Sequence, residues 1–243
     1  MYMKRIKLSD RQLPDYTKGE EIMNMVTHIV GGALGVLVLV LCTIRAICRG
    51  NTLGIVGCVL YGVSIVELYT ISSVYHGLRP GMAKKVLQVI DHCTIYFLIA
   101  GTYTPILLSV FVPVYPLIGW GLLAAQWALL AVAVTLTAID LKKYTVFSMI
   151  CYIGMGWGIV FFLPQTIELM TAPGFCLLLS GGIAYTIGAI LYGIGAKMHW
   201  MHSVFHIFVV IGSLLQFLAI YLYALEYPLC RKMLTTQLIG CIL

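Results

Sequence analysis

Seven apolar stretches, each about as long as a bilayer is thick and each closed off by proline, glycine or charge, decide what this chain can fold into. A helix needs about 20 apolar residues to cross the hydrocarbon. The stretches cover residues 23–47, 53–78, 86–110, 116–139, 144–163, 174–196 and 202–225. Arg49-Gly50-Asn51, Arg79-Pro80-Gly81, Val112-Pro113 with Pro116, Asp140 to Lys143, Pro164 to Pro173, and Lys197 to Trp200 separate them. The expected fold is all-α: a polytopic membrane protein built as a seven-transmembrane helix bundle. A short cytoplasmic N-terminal segment (1–22) leads into the seven-transmembrane domain (23–225), and a short extracytoplasmic tail (226–243) follows it.

Charge supports the class and gives an orientation. Only 10% of the residues are charged, against about 25% in a soluble domain. Residues 1–22 lack the apolar core and small-residue cleavage site of a signal peptide. Basic residues in short loops favour the cytoplasmic side. With the N-terminus inside, the inner segments hold eleven: Lys4, Arg5, Lys7, Arg11, Lys18, Arg79, Lys84, Lys85, Lys142, Lys143 and Lys197. The outer side holds four: Arg45, Arg49, Arg231 and Lys232. The expected location is the cell membrane, multi-pass, with a cytoplasmic N-terminus and an extracytoplasmic C-terminus. The net charge of +6 is then a topology signal, with no case for a nucleic-acid partner. The eight cysteines are scattered, without a C-x-x-C pair. Most act as small hydrophobes in apolar segments, so neither a disulfide framework nor a cysteine metal site is expected.

Under this topology all six histidines fall near the cytoplasmic boundary. His202 and His206 stand one helical turn apart at the start of the last stretch, and His76 closes the second. Ionisable groups inside a bilayer are costly and mark function. Residues i and i+4 share a helix face, so His202 and His206 suit one divalent cation, with His76 as the third ligand. His92 follows Asp91 and points about 100° away from it around the helix, so both cannot face the ion. His28 with Thr27 and Asn24 reads as a hydrogen-bonded network between helices, although Glu21, Asn24 and His28 follow helical spacing and form one polar stripe. His199, beside Trp200, reads as interfacial; with His202 it makes a rival i, i+3 pair.

Three imidazoles leave one position open on a tetrahedral Zn2+, the arrangement of a catalytic site. Zinc lowers the pKa of water to near 7. Asp91 is the expected catalytic carboxylate, orienting that water or taking its proton. Ser72, one turn before His76, is placed to donate a hydrogen bond to a developing oxyanion. Water and a membrane lipid both reach such a depth. Glu67 lies nine positions before His76, about 13 Å along a helix, and stands apart near mid-membrane. Gly31 with Gly35, and Gly154 with Gly158, offer small faces for close helix approach. Pro105 is expected to kink the third helix.

Four runs carry a resemblance: Glu21-x-x-Asn24-x-x-Thr27-His28, Ser72-x-x-x-His76, Asp91-His92-x-x-Ile95-Tyr96 followed by AGTYTP, and His202-x-x-x-His206. Taken together, the chain resembles the bacterial hemolysin III family, which is related to the progestin and adipoQ receptors. The resemblance spans all seven stretches. It implies zinc on His76, His202 and His206, with Asp91 contacting the zinc-bound water and Ser72 beside it. It also implies a grouping with alkaline ceramidases as metal-dependent amide hydrolases, whereas the family name refers to cytolytic, pore-forming activity. The receptor members carry a longer N-terminal region, which argues against hormone reception here.

Three functions follow from these readings: a zinc-dependent hydrolase of a lipid amide or ester bond, a pore-forming cytolysin, or a non-catalytic zinc-bound membrane sensor. The open ligand position favours hydrolysis over sensing. Seven integral spans fit poorly with a protein that must enter a foreign membrane.

Overall fold

The computed structural model describes residues 7–195 and 198–226. The tail beyond 226 lies outside the described residues, as do Lys4, Arg5, Lys197, Arg231 and Lys232 of the charge count. Among the described residues every regular element is helical, the arrangement in which a membrane chain satisfies its backbone groups without water.

Helix α1 spans Lys18–Cys48 and α2 spans Thr52–Gly77. α3 spans Met82–Ile106, and α4 spans Pro116–Ile139. α5 spans Thr145–Trp157, α6 spans Leu163–Gly195, and α7 spans Met201–Ala219. α1 starts five residues before its apolar stretch because Thr17 and Glu20 form a capping box. The Glu20 N–H donates to Thr17 Oγ1 at 3.3 Å, and the Thr17 N–H donates to the Glu20 carboxylate at 2.8 Å. That exchange satisfies two of the amides that a helix start leaves bare. Beyond Pro105, α3 does not simply kink. It continues into a π turn over Leu107–Phe111, one recognised way for a helix to absorb such a disturbance.

Among the described residues, six helices are long and apolar enough to cross a membrane. One of them is the continuous run Thr145–Ile194, which combines α5, a 3-10 stretch and α6 over 50 residues. Straight, it would measure about 75 Å, far more than the roughly 30 Å of hydrocarbon. It is broken at Thr171, whose φ of 63° and ψ of 164° are not helical. A β-branched residue rarely adopts positive φ. Pro173 then falls in the first turn after the break, where its missing N–H does no harm. The loop expected from Pro164 to Pro173 thus shrinks to one residue, since Pro164 also sits at a helix start.

The outside is apolar and the inside is polar in places, the reverse of a soluble protein. Leu117, Val132, Val146, Ile150 and Phe161 all face outward. α1 packs on α2, α2 on α3, and α7 on α6 and α1. Of the two expected small-residue faces, the first is real. A Cβ on Gly31 would lie 2.5 Å from the Tyr69 ring, and one on Gly35 would lie 2.7 Å from Ile65. The second is not: Gly154 has nothing within 4 Å, because it faces outward. Glu67 also looks outward, beside a notch formed by Leu39, Val63 and Thr70, and is remote from the histidines.

Candidate metal centre

The start of α1, the end of α2 and the starts of α3 and α7 meet at one end of the bundle. There His76, His202 and His206 each offer a ring nitrogen, all within 4.8 Å of one another. The three histidines are positioned where they could hold a metal ion. His202 Nε2 lies 3.0 Å from His206 Nε2 and 3.4 Å from His76 Nε2. Neighbouring ligand nitrogens of a tetrahedral zinc, with bonds of about 2.05 Å, are about 3.3 Å apart.

The hydrogen bonds behind the rings make the case stronger. His76 Nδ1 is 2.7 Å from Glu21 Oε2. That carboxylate also accepts from Lys84 Nζ, so the proton belongs on His76 Nδ1. His206 Nδ1 faces the Asn24 carbonyl at 3.3 Å, which can only accept. Both rings therefore turn a bare Nε2 lone pair toward His202. A proton on His202 Nε2 would satisfy one of them at most, and His202 Nδ1 is buried without a partner. A cation satisfies all three nitrogens together. Glu21 thus stands behind His76 as a carboxylate stands behind a metal-ligating histidine, an arrangement that fixes ring orientation and raises basicity.

The polar stripe on α1 reaches the site as expected, but its members divide differently. Asn24 Oδ1 accepts from Ser203 Oγ at 2.6 Å and so ties α1 to α7. Thr27 turns back to its own helix, donating to the Met23 and Asn24 carbonyls. His28 joins no hydrogen-bonded network; both ring nitrogens are buried and unpartnered. Its ring instead stacks on His206, with centroids 3.7 Å apart and planes 9° from parallel. Burying a stack of flat rings outweighs the hydrogen bonds that the sequence suggested.

Asp91 and Ser72 both line the cavity beside the cluster. His92 turns elsewhere: its Nδ1–H donates to the Gln88 carbonyl at 2.8 Å, and Nε2 accepts from the Tyr192 hydroxyl at 3.2 Å. His199 stays exposed, 3.3 Å from Glu20 Oε2, and is not one of the three.

Some members of the site had no signal in the sequence. Tyr16 precedes α1, where no periodicity points to it, yet its ring stacks on His202 at 5.0 Å and 22°. Burial, and the nearby Tyr192, Glu21 and Asp91, push its phenol up from its ordinary pKa. The segment before it lies against α3, where Lys85 Nζ donates to the Ser9 carbonyl. Lys84, counted above only as a cytoplasmic charge, is buried and paired with Glu21. Trp200 adopts a left-handed φ of 68° at the start of α7, held by its N–H donating to Glu20 Oε1 at 2.6 Å.

From the histidines an apolar cavity of about 180 Å³ runs into the bundle, room for roughly a dozen water-sized spheres. It is bounded along α3 from Asp91 to Ile106 and along α7 from His202 to Gln216, a length of about 21–22 Å.

Comparison with known proteins adds lineage to this geometry. The family profile described as "Haemolysin-III related" matches residues 16–217. The chain is 36% identical over 206 residues to "Hemolysin-3" of Bacillus cereus, covering 85% of this chain and 92% of the relative. To "Hemolysin-3 homolog" of Bacillus subtilis (strain 168) it is 35% identical over 213 residues, covering 88% and 98%. A more distant likeness, 25% over 179 residues, links it to the human "Monocyte to macrophage differentiation factor", covering 70% and 71%.

Proposed function

Because this chain belongs to the haemolysin-III-related family, we propose that it is a zinc-dependent hydrolase of an amide or ester bond in a membrane lipid. In this reading it crosses the membrane seven times, the run Thr145–Ile194 crossing twice around Thr171. Its N-terminus lies in the cytoplasm and its C-terminus outside. The observation that carries the reading is the position of the histidine cluster. It sits at the polar end of an apolar cavity that also receives Asp91.

His76, His202 and His206 would hold the ion. When bound, it supplies Lewis acidity, which polarises a carbonyl and acidifies water. The protein's own groups do the rest. Glu21 and the Asn24 carbonyl fix the rings of His76 and His206. Asp91 takes the proton of the attacking water and passes it to the leaving group, with the Ser72 hydroxyl beside it in the cavity. The cavity takes an acyl chain. At about 21–22 Å it exceeds the roughly 15 Å of hydrocarbon in one leaflet, and its walls are mainly apolar. Apolar walls with a few converging polar groups are what small-molecule sites generally show.

The test is zinc content beside fatty-acid release, using purified protein in a bilayer of bacterial lipid extract. One zinc per chain and fatty-acid release that stops on chelation and returns with zinc are expected. Full zinc with no fatty acid from any lipid class would replace this reading with the sensing one. Reporter fusions after Lys18 and at Leu243 should report opposite compartments. Both on one side would overturn the seven crossings.

A further inference from the structure

At the end of the bundle away from the histidines, α1 and α2 bring two thiols together. The helices run antiparallel and nearly touch. Beyond the Gly31–Tyr69 and Gly35–Ile65 contacts, a Cβ on Gly62 would lie 2.5 Å from the Cα of Leu39. One turn further along the same faces come Cys42 on α1 and Cys58 on α2. Both are wholly buried in the shared core, and both are free thiols. Disulfides need Cα atoms roughly 4.4–6.8 Å apart, and the crossing at Gly62 and Leu39, one turn away, is where the two backbones come closest to contact.

Two polar groups lie beside the pair. Tyr61 lies one turn after Cys58, and its hydroxyl is buried with no hydrogen-bond partner among the described residues. Arg45 lies one turn after Cys42, and its Nε is likewise buried and unpartnered. The sequence offered no such site, because Cys42 and Cys58 are 16 positions apart on different helices.

We propose that Cys42 and Cys58 are a latent disulfide site, which a membrane-soluble two-electron oxidant of the quinone or azodicarboxamide class closes to staple α1 to α2. Two S–H bonds are lost and one S–S bond forms. The two protons and two electrons pass to the oxidant, reducing quinone to quinol or the N=N bond to a hydrazine. The site is about 21 Å along α1 from His28, so the staple leaves the histidine cluster intact and stiffens the far end.

The experiment treats the full chain in lipid nanodiscs with the azodicarboxamide diamide. Excess oxidant is removed, the protein is unfolded in detergent, and free thiols are capped with N-ethylmaleimide. Peptides are then mapped without reduction. The expected result is a Cys42–Cys58 linked peptide, loss of maleimide from both positions, and recovery of both after phosphine reduction. The oxidised protein should unfold several degrees higher, and reduction should reverse the shift. Cys42→Ala should leave Cys58 fully alkylated after the same treatment. Because the wild-type map needs no variant, a misfolded variant does not affect the outcome. Cys42 and Cys58 both fully alkylated while the exposed Cys48 and Cys176 are oxidised would overturn the proposal. So would a bridge from Cys58 to Cys48.

Discussion

The two ends of the α1–α2 pair solve opposite packing problems. At the histidine end, Glu21, Asn24, His28 and His76 turn inward, and the polar atoms of one helix must find partners on another. At the far end, Gly62 lies against Leu39 and the small residues Cys42, Ala46 and Cys58 fill the gap. That end is closed by contact alone. The polar end is not closed by its own hydrogen bonds, because two lone pairs on His76 and His206 converge with a third nitrogen from His202. Where helices meet through glycine and cysteine, the chain is sufficient. Where they meet through imidazole, an ion completes the structure.

The largest way to break this contrast is to remove the ligands. His202→Ala with His206→Ala should reduce zinc from one per chain to none, read by elemental analysis. Unchanged zinc would end the metal reading. Asp91→Asn comes next: it should keep the zinc and lower lipid turnover by about 10²–10⁴, the usual cost of losing a general base. Full turnover in that variant would remove Asp91 from the chemistry. A smaller effect is expected from Glu21→Gln, which weakens the acceptor behind His76. Its zinc affinity should fall roughly 10–100-fold in a chelator competition.

At the other end, Gly62→Ala should lower stability by about 1–3 kcal/mol, the usual penalty for overpacking, measured as a drop in thermal midpoint. Gly154→Ala, which faces open space, should stay within about 0.5 kcal/mol. Equal effects of the two would contradict the close crossing. The smallest change belongs to His92→Ala. Zinc content should be nearly unchanged, since that ring is bound to Gln88 and Tyr192.

The residues that sequence reading found are those whose chemistry is out of place in lipid. His76, His202 and His206 stood out because imidazole has little reason to lie in an apolar helix, and the i, i+4 spacing of two of them needs no tertiary information. Asp91 and Ser72 stood out for the same reason. Tyr16 and Tyr192 did not, because tyrosine is common in membrane helices and at their ends. Their place depends on a chain segment folding back and on α6 packing against α7. The pairing of Lys84 was not visible, because a basic residue near a helix end gives no sign of its partner until a carboxylate from another helix is seen beside it. The Pro164–Pro173 break was drawn too long because both prolines sit where a helix start tolerates them.

The sequence by itself determined that this chain is helical and built for a membrane. It also determined which imidazoles lie at one depth, because hydropathy, helical period and the cost of a buried polar group are local properties. Only the tertiary structure decided which nitrogens face one another and which carboxylate stands behind His76. It also decided that His28 stacks instead of hydrogen-bonding, and that two cysteines on different helices share one buried core. Those outcomes depend on how closely and in what register helices pack. That register is set by contacts such as Leu39 against Gly62, between residues that are distant along the chain.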